Sequence, residues 1–176
     1  MRPRDQRENL FLSFVEVAVG RITRREPSVD EESMRLVLLL HRVTNSIIYD
    51  LVAAVHRPSG WSWAGFRLLF ALWVLGPVDS KTAAEASGMS RPAVTALVRT
   101  LQRDGMVQKL GDPHDGRSVV IALTGDGQDR LSEAFRHHTG REQRWSAVLS
   151  ADEKATLIAL LTKLSNAAQG DWVRHR

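Results

Sequence analysis

The chain has 176 residues, 43% of them apolar and 25% charged, with a formal charge of +4 and no cysteine. Such a chain suits one globular domain or one compact subunit and is too apolar for a disordered protein. The lack of cysteine excludes disulfides, Fe–S clusters, cysteine zinc sites, thiol catalysis and thiol redox sensing. No apolar run reaches ~18 residues, which argues against a membrane-spanning helix. The start of the chain shows no apolar stretch behind its basic head, so no secretory leader is expected and the expected compartment is the cytoplasm.

Residues 9–24 carry Leu10, Phe11, Phe14, Val17, Ala18 and Ile22 at spacings of mostly three and four, which predicts an amphipathic helix. Pro27-Ser28 breaks it. Asp30 is the expected N-cap of a long helix to about residue 55, with Glu31 and Glu32 in its first turn. That helix is apolar on more than one face, from Leu36 to Leu40 and on through Val43, Ile47, Ile48, Leu51 and Val52. It is therefore expected to be buried on several sides. His56-Arg57-Pro58-Ser59-Gly60 reads as a loop. Ser62 caps a helix that Gly76-Pro77 ends. Ser80 is the expected cap of a short helix over 81–87, and Ser90 of a further one ending near Asp104-Gly105, with Pro92 tolerated in its first turn. Residues 106–110 and 118–123 predict two short strands, with a turn-rich tip between them. Thr124 caps a helix to about residue 138, and Gly140 is a candidate interruption. Ser150-Ala151-Asp152-Glu153 fits a capping box before a last helix with Leu157, Leu160, Leu161 and Leu164 on one stripe.

The fold class expected is mainly α with a small β-hairpin wing (α+β). The long helices at both ends find no partner in the centre, so their apolar surfaces are expected to pack together across a two-fold dimer.

Residues 81–95 read as a helix-turn-helix. Ala83, Ala84 and Ala86 let a second helix approach, Gly88 permits the sharp turn, Met89 plugs the corner and Ser90 caps the next helix. On that helix Val94, Leu97, Val98 and Leu101 form the inward stripe. Pro92, Thr95, Ala96, Arg99 and Arg103 form the outward one. Residues 90–103 hold three arginines and no acid. Short side chains near the start and arginines further on suit a helix that enters the major groove, with phosphates held at its amide end and flanks. A solvated helix whose arginines face water has the same pattern. The hairpin tip adds Asp112, His114, Asp115 and Arg117. Arg117 can reach the minor groove, with Lys109 on a phosphate at the base, or it can pair with Asp112 or Asp115 in a plain surface turn. His114 adds to the tip or is simply solvated.

The run Asp112-Pro113-His114-Asp115-Gly116-Arg117-Ser118, then the apolar stretch to Leu123, then Thr124-Gly125-Asp126-Gly127, resembles the wing signature of the MarR family of multiple-antibiotic-resistance-type regulators. That signature is Asp-Pro-x-Asp-x-Arg-Ser, an apolar strand, and Leu-Thr-x-x-Gly. The helix-turn-helix piece and Leu97-Val98-x-x-Leu101-x-x-x-Gly105-x-Val107 match as well. The specific resemblance covers about residues 62–131. One departure is Gly116, where many members carry a second basic residue.

The resemblance implies one domain over 1–176, with a winged helix-turn-helix part at 62–124 and helical dimerisation parts at 9–56 and 125–168. It implies a homodimer that binds a pseudo-palindromic double-stranded DNA and releases it when a small aromatic or phenolic effector binds. The family's recognition contacts carry over to Ser90, Arg91, Pro92, Thr95 and Arg99, with Arg103 further along the same face, and its wing arginine to Arg117. The helix before Asp30 is longer than the family minimum and is expected to add dimer area. The family's effector pocket lies where the dimerisation helices meet the winged part. His41, Arg42, Asn45, Tyr49, Trp63, Phe66, Arg67, Phe70 and Trp73 are the residues available to it. An aromatic acid wants aromatic walls and one cation, which Arg42 or Arg67 supplies. Phe66, Phe70 and Trp73, at i, i+4 and i+7, read first as ordinary core.

No cofactor, metal or membrane partner is expected. His137-His138 point about 100° apart on a helix and are read as a solvated pair rather than ligands. No phosphate loop, nucleophile elbow or His-Glu-x-x-His appears, so no enzyme is expected. The alternative is a winged-helix module for protein–protein contact, against which the outward arginines weigh.

Overall fold

A computed structural model describes residues 3–111, 119–168 and 170, with side chains from Phe14 onward. The chain divides into two units, Met1–Asp50 and Leu51–Arg176.

The first unit holds α1 (Pro3–Arg25) and most of α2 (Glu31–Leu51). Asp30 starts α2 as expected. Its carboxylate accepts the amides of Glu32 at 3.0 Å and Ser33 at 3.3 Å. Arg35 forks onto Glu16, at 3.1 and 3.0 Å, and reaches Glu31 at 2.8 Å. The Arg42 guanidinium lies 5.1 Å over the Phe14 ring. Val15 and Val19 are buried, whereas Leu36, Val37 and Val43 stay exposed. Residues 31–56 form a helical stretch long and apolar enough to cross a membrane by length and composition. The run-length reading of the sequence missed this, because His41, Arg42 and Asn45 interrupt the apolar run without lowering the average much.

The second unit opens on a π-helical turn, Val52–His56, where the Arg57 amide reaches back to the Val52 carbonyl at 2.9 Å. The extra residue in that turn carries Val55 and His56 into the core. Then come α3 (Trp63–Leu75), α4 (Ser80–Ser87) and α5 (Arg91–Arg103). Strands β1 (Val107–Gly111) and β2 (Val119–Leu123) pair antiparallel, Lys109 opposite Ile121. Helices α6 (Gly125–Ser146) and α7 (Ala151–Ala167) follow.

Ser62, Ser90 and Thr124 cap their helices as expected, and Ser150 with Glu153 forms the capping box. Three details differ from the sequence reading. Asp79, not Ser80, caps α4, because its carboxylate accepts the Lys81 and Thr82 amides at 2.7 and 2.8 Å. Gly140 does not interrupt α6, since one interior glycine costs only about 1 kcal/mol in a long packed helix. Val78 adds a third position to the sheet, exchanging hydrogen bonds of 3.1 and 2.8 Å with Ile121.

The core runs through the middle of this unit. Leu68, Leu69 and Leu72 of α3 meet Ala83 and Ala84 of α4 and Val94, Val98 and Leu101 of α5. Met106, Ile121 and Leu131 close it from the turn after α5, the sheet and α6. No residue of α7 is buried among those described, and Leu157, Ile158, Leu160, Leu161 and Leu164 are all exposed.

The Leu-Thr-x-x-Gly stretch has a packing explanation. The Thr124 hydroxyl donates to the Gly105 carbonyl at 2.6 Å and accepts the Gly127 amide at 2.9 Å. Gly127 is pressed so closely on the Met106 backbone that an added Cβ would collide with the Met106 carbonyl oxygen. Gly127→Ala should force α6 off the sheet and cost about 2–3 kcal/mol. Chemical denaturation should show the loss, and an unchanged midpoint would refute this packing account.

Candidate nucleic-acid interface and adjoining cavity

The interface begins with what α5 must bury. Val94, Val98 and Leu101 face the core and Leu97 is half-buried, so the other side of the helix is turned outward. Arg91, Pro92, Thr95, Arg99 and Arg103 are all exposed there. The Ser90 hydroxyl accepts the Ala93 amide at 3.4 Å and fixes the first turn. The Thr95 hydroxyl bonds back to the Arg91 carbonyl at 3.0 Å. Arg103 pairs with Asp104 at 3.3 Å in an exposed contact worth little. Arg91 and Arg99 have no acidic partner among the described residues. Lys109 is exposed on β1. His114 and Arg117 lie outside the described residues.

Behind α4, α3 and α6 enclose a cavity of about 410 Å³. Trp63, Phe66, Phe70 and Phe135 wall it, and Arg67, Ser87, His138 and Glu142 supply polar groups. Phe66 is buried and stacks on Phe70 with ring centres 5.8 Å apart. Phe70 is 36% exposed, so it is as much cavity wall as core. Trp73 meets Phe70 and Phe135 edge-on. Arg67 donates a hydrogen bond to the Ser87 carbonyl at the end of α4. On α2 of the first unit, the Asn45 amide lies 3.0 Å from His41 Nε2, and Tyr49 is exposed.

A buried imidazole pair stands beside this cavity. His56 Nε2 lies 3.1 Å from His138 Nδ1, and His138 Nε2 lies 3.2 Å from Glu142 Oε1. His56 stacks on Phe66 at 4.2 Å. One tautomer set satisfies both contacts: His138 donates from Nε2 to the carboxylate, and His56 donates from Nε2 to His138. His56 Nδ1 is then a bare acceptor, in keeping with its having no partner among the described residues. Burial, then the neighbouring His138, pushes the His56 imidazole down to about 4.

The comparisons with known proteins agree with this geometry. The model of the MarR family matches residues 61–119. The HTH-type transcriptional regulator YkoM of Bacillus subtilis is 30% identical over 139 residues, 77% of this chain and 90% of its own. The chain belongs to the MarR family. It is a DNA-binding transcriptional regulator, not an enzyme. Among solved structures, CouR bound to a 23-mer DNA duplex has a TM-score of 0.68 at 26% identity, covering 77% of this chain and 95% of that one. The PcaV regulator of Streptomyces coelicolor, in complex with its natural ligand, has a TM-score of 0.67 at 25% identity, covering 81% and 99%.

In this MarR chain the stripe of α5 expected to face outward, Pro92, Thr95, Ala96, Arg99 and Arg103, is exposed. The sequence reading missed the histidine pair. His56 was read as a loop residue and His138 as solvated, yet His56 is fully buried and His138 is 5% exposed. Only His137 is exposed as expected. The π-turn moves His56 inward, and no pattern in the sequence announces that turn.

Buried His56 sets a pH dependence. Below about pH 6.5 the unfolded imidazole takes up a proton, whereas folded His56 resists until about 4. Stability should therefore fall across that window, by up to roughly 3 kcal/mol. The Asp79 and Glu153 caps, whose carboxyls backbone amides hold below their usual range, act only further down. Denaturation of His56→Phe between pH 7 and 4.5 should give a flatter profile than wild type. An equal slope in both would refute the assignment.

Proposed function

We propose that this MarR-family regulator is a homodimeric repressor that reads a pseudo-palindromic operator and releases it when a small aromatic or phenolic effector binds. The observation that carries the reading is the outward face of α5. Its short side chains stand near the N-terminus, Arg91 and Arg99 flank them, and no acid intervenes. In this reading Ser90, Arg91, Pro92, Thr95 and Arg99 meet base edges and phosphates in the major groove, and Arg103 and Lys109 take backbone phosphates. His114 and Arg117 belong to the wing and enter the adjoining minor groove. The DNA in the CouR complex supports the first step.

Homodimerisation is supported by the apolar faces left open. Most helical stability in a folded protein comes from packing an apolar face, and α7 buries none among the described residues. Covering its exposed leucines and Ile158 with a second copy stabilises by about 1 kcal/mol per side chain. The effector reading rests on the aromatic cavity with Arg67 at its edge, and on the ligand in the PcaV complex. Trp63, Phe66 and Phe70 are its walls and Trp73 backs them. The reading places the protein in the cytoplasm, with the operator.

Selection of a random duplex library on the purified protein at near-physiological salt tests this function. It should return a two-fold pseudo-palindrome with half-sites about one DNA turn, ~34 Å, apart. Arg99→Ala should weaken binding to that duplex by about tenfold or more and relax its sequence preference. Binding without any enriched sequence would refute operator recognition. Dimers that bind no duplex would favour the protein-contact alternative.

A further inference from the structure

Arg67 lines two cavities at once. One is the aromatic cavity; the other is a larger hollow, about 1020 Å³, beneath the turn between α4 and α5. From α3 its guanidinium spans the wall between them and donates to the Ser87 carbonyl.

That carbonyl belongs to the last turn of α4, where intrahelical donors run out. The Gly88 amide serves Ala84 and Glu85, and the Met89 amide serves Ala84 at 2.9 Å. The Ser87 hydroxyl turns the other way, to the Ala83 carbonyl at 2.5 Å. Arg67 thus caps a carbonyl that none of these local groups serves, and its charge suits the negative end of the helix. Gly88 is fitted to this arrangement. It sits at φ +63°, and a Cβ there would lie 2.5 Å from Arg67 Nη2. Ser90, two residues on, caps the recognition helix. No carboxylate pairs with Arg67 among the described residues.

We propose that Arg67 is the positioning residue that couples the aromatic cavity to the recognition helix. On Ser87 it clamps the turn before α5 in one geometry. An anion in the aromatic cavity competes for the same guanidinium and draws it off, which frees the turn. The release step rests on the effector reading given above; the clamp does not.

Amide hydrogen exchange of the full-length protein separates the two. Without any ligand, Arg67→Met should speed exchange over residues 84–93 by about tenfold, as expected for loss of a charge-assisted hydrogen bond, and leave α6 unchanged as a control on folding. Arg67→Lys should give an intermediate rate. Gly88→Ala keeps the charge but pushes the guanidinium aside, and should loosen the same residues. Wild-type rates over 84–93 in Arg67→Met would overturn the clamp. Benzoate is the anionic probe and benzamide its neutral isostere, with binding read by tryptophan fluorescence. Benzoate should speed exchange over 84–93 in wild type, benzamide should not, and Arg67→Met should show no further change with benzoate. Benzoate that binds but leaves those residues unchanged would overturn the coupling. Failure of benzoate to bind would count against the effector reading and the release step together, with the ligand-free comparison still deciding the clamp.

Discussion

One constraint sets which face α5 presents. Helix α5 buries only a stripe, Val94, Val98 and Leu101, against the leucines of α3 and the alanines of α4. A helix packed on one side presents the other, and its rotation is set by the stripe rather than by any polar contact. The small side chains of Ala83 and Ala84 let α4 come close enough for that stripe to seat. Everything on the outward face inherits its direction from this packing. Thr95 and Arg99 are about one turn apart along the helix and share a direction, because the stripe of Val94, Leu97, Val98 and Leu101 holds the other side of the helix on the core.

The sheet serves the same end from the other side. Val78 and Ile121 tie the start of α4 to β2, and Thr124 ties the end of β2 to Gly105 at the end of α5. Gly127 then lets α6 lie against Met106. The two strands, α5 and α6 therefore share one anchoring point. Lys109 takes its position from this frame, since its strand partner is the buried Ile121.

Much of this was legible in the chain because the signals are local. Ser62, Ser90, Thr124 and Ser150 each cap a helix where expected, and the inward stripe of α5 follows from spacing alone. The misses have non-local or ambiguous causes. Asp79 and Ser80 are both good caps, and only the geometry of two amides at 2.7 and 2.8 Å decides for Asp79. Val78 joins the sheet as a single bridge, too short for alternation to show. The π-turn at Val52–His56 changes the helical period for one turn, so a reading at 3.6 residues per turn loses the phase at the residue that becomes buried. The partner of His56 is 82 positions away, beyond any spacing rule.

The cavity shows why residues 66–73 carry both a core and a pocket reading in the sequence. Phe66, Phe70 and Phe135 lie in one stacked series with His138, and the same rings that fill the second unit's interior leave a gap beside them. Polar groups then gather at the rim, where they keep partners: Arg67 on Ser87, His138 on Glu142. The apolar walls weaken screening, so a charge that enters the gap interacts with Arg67 more strongly than it would on the surface. Arg67, which donates to the Ser87 carbonyl at the end of α4, is also the arginine that lines that gap, so the turn into α5 lies one hydrogen bond away from it.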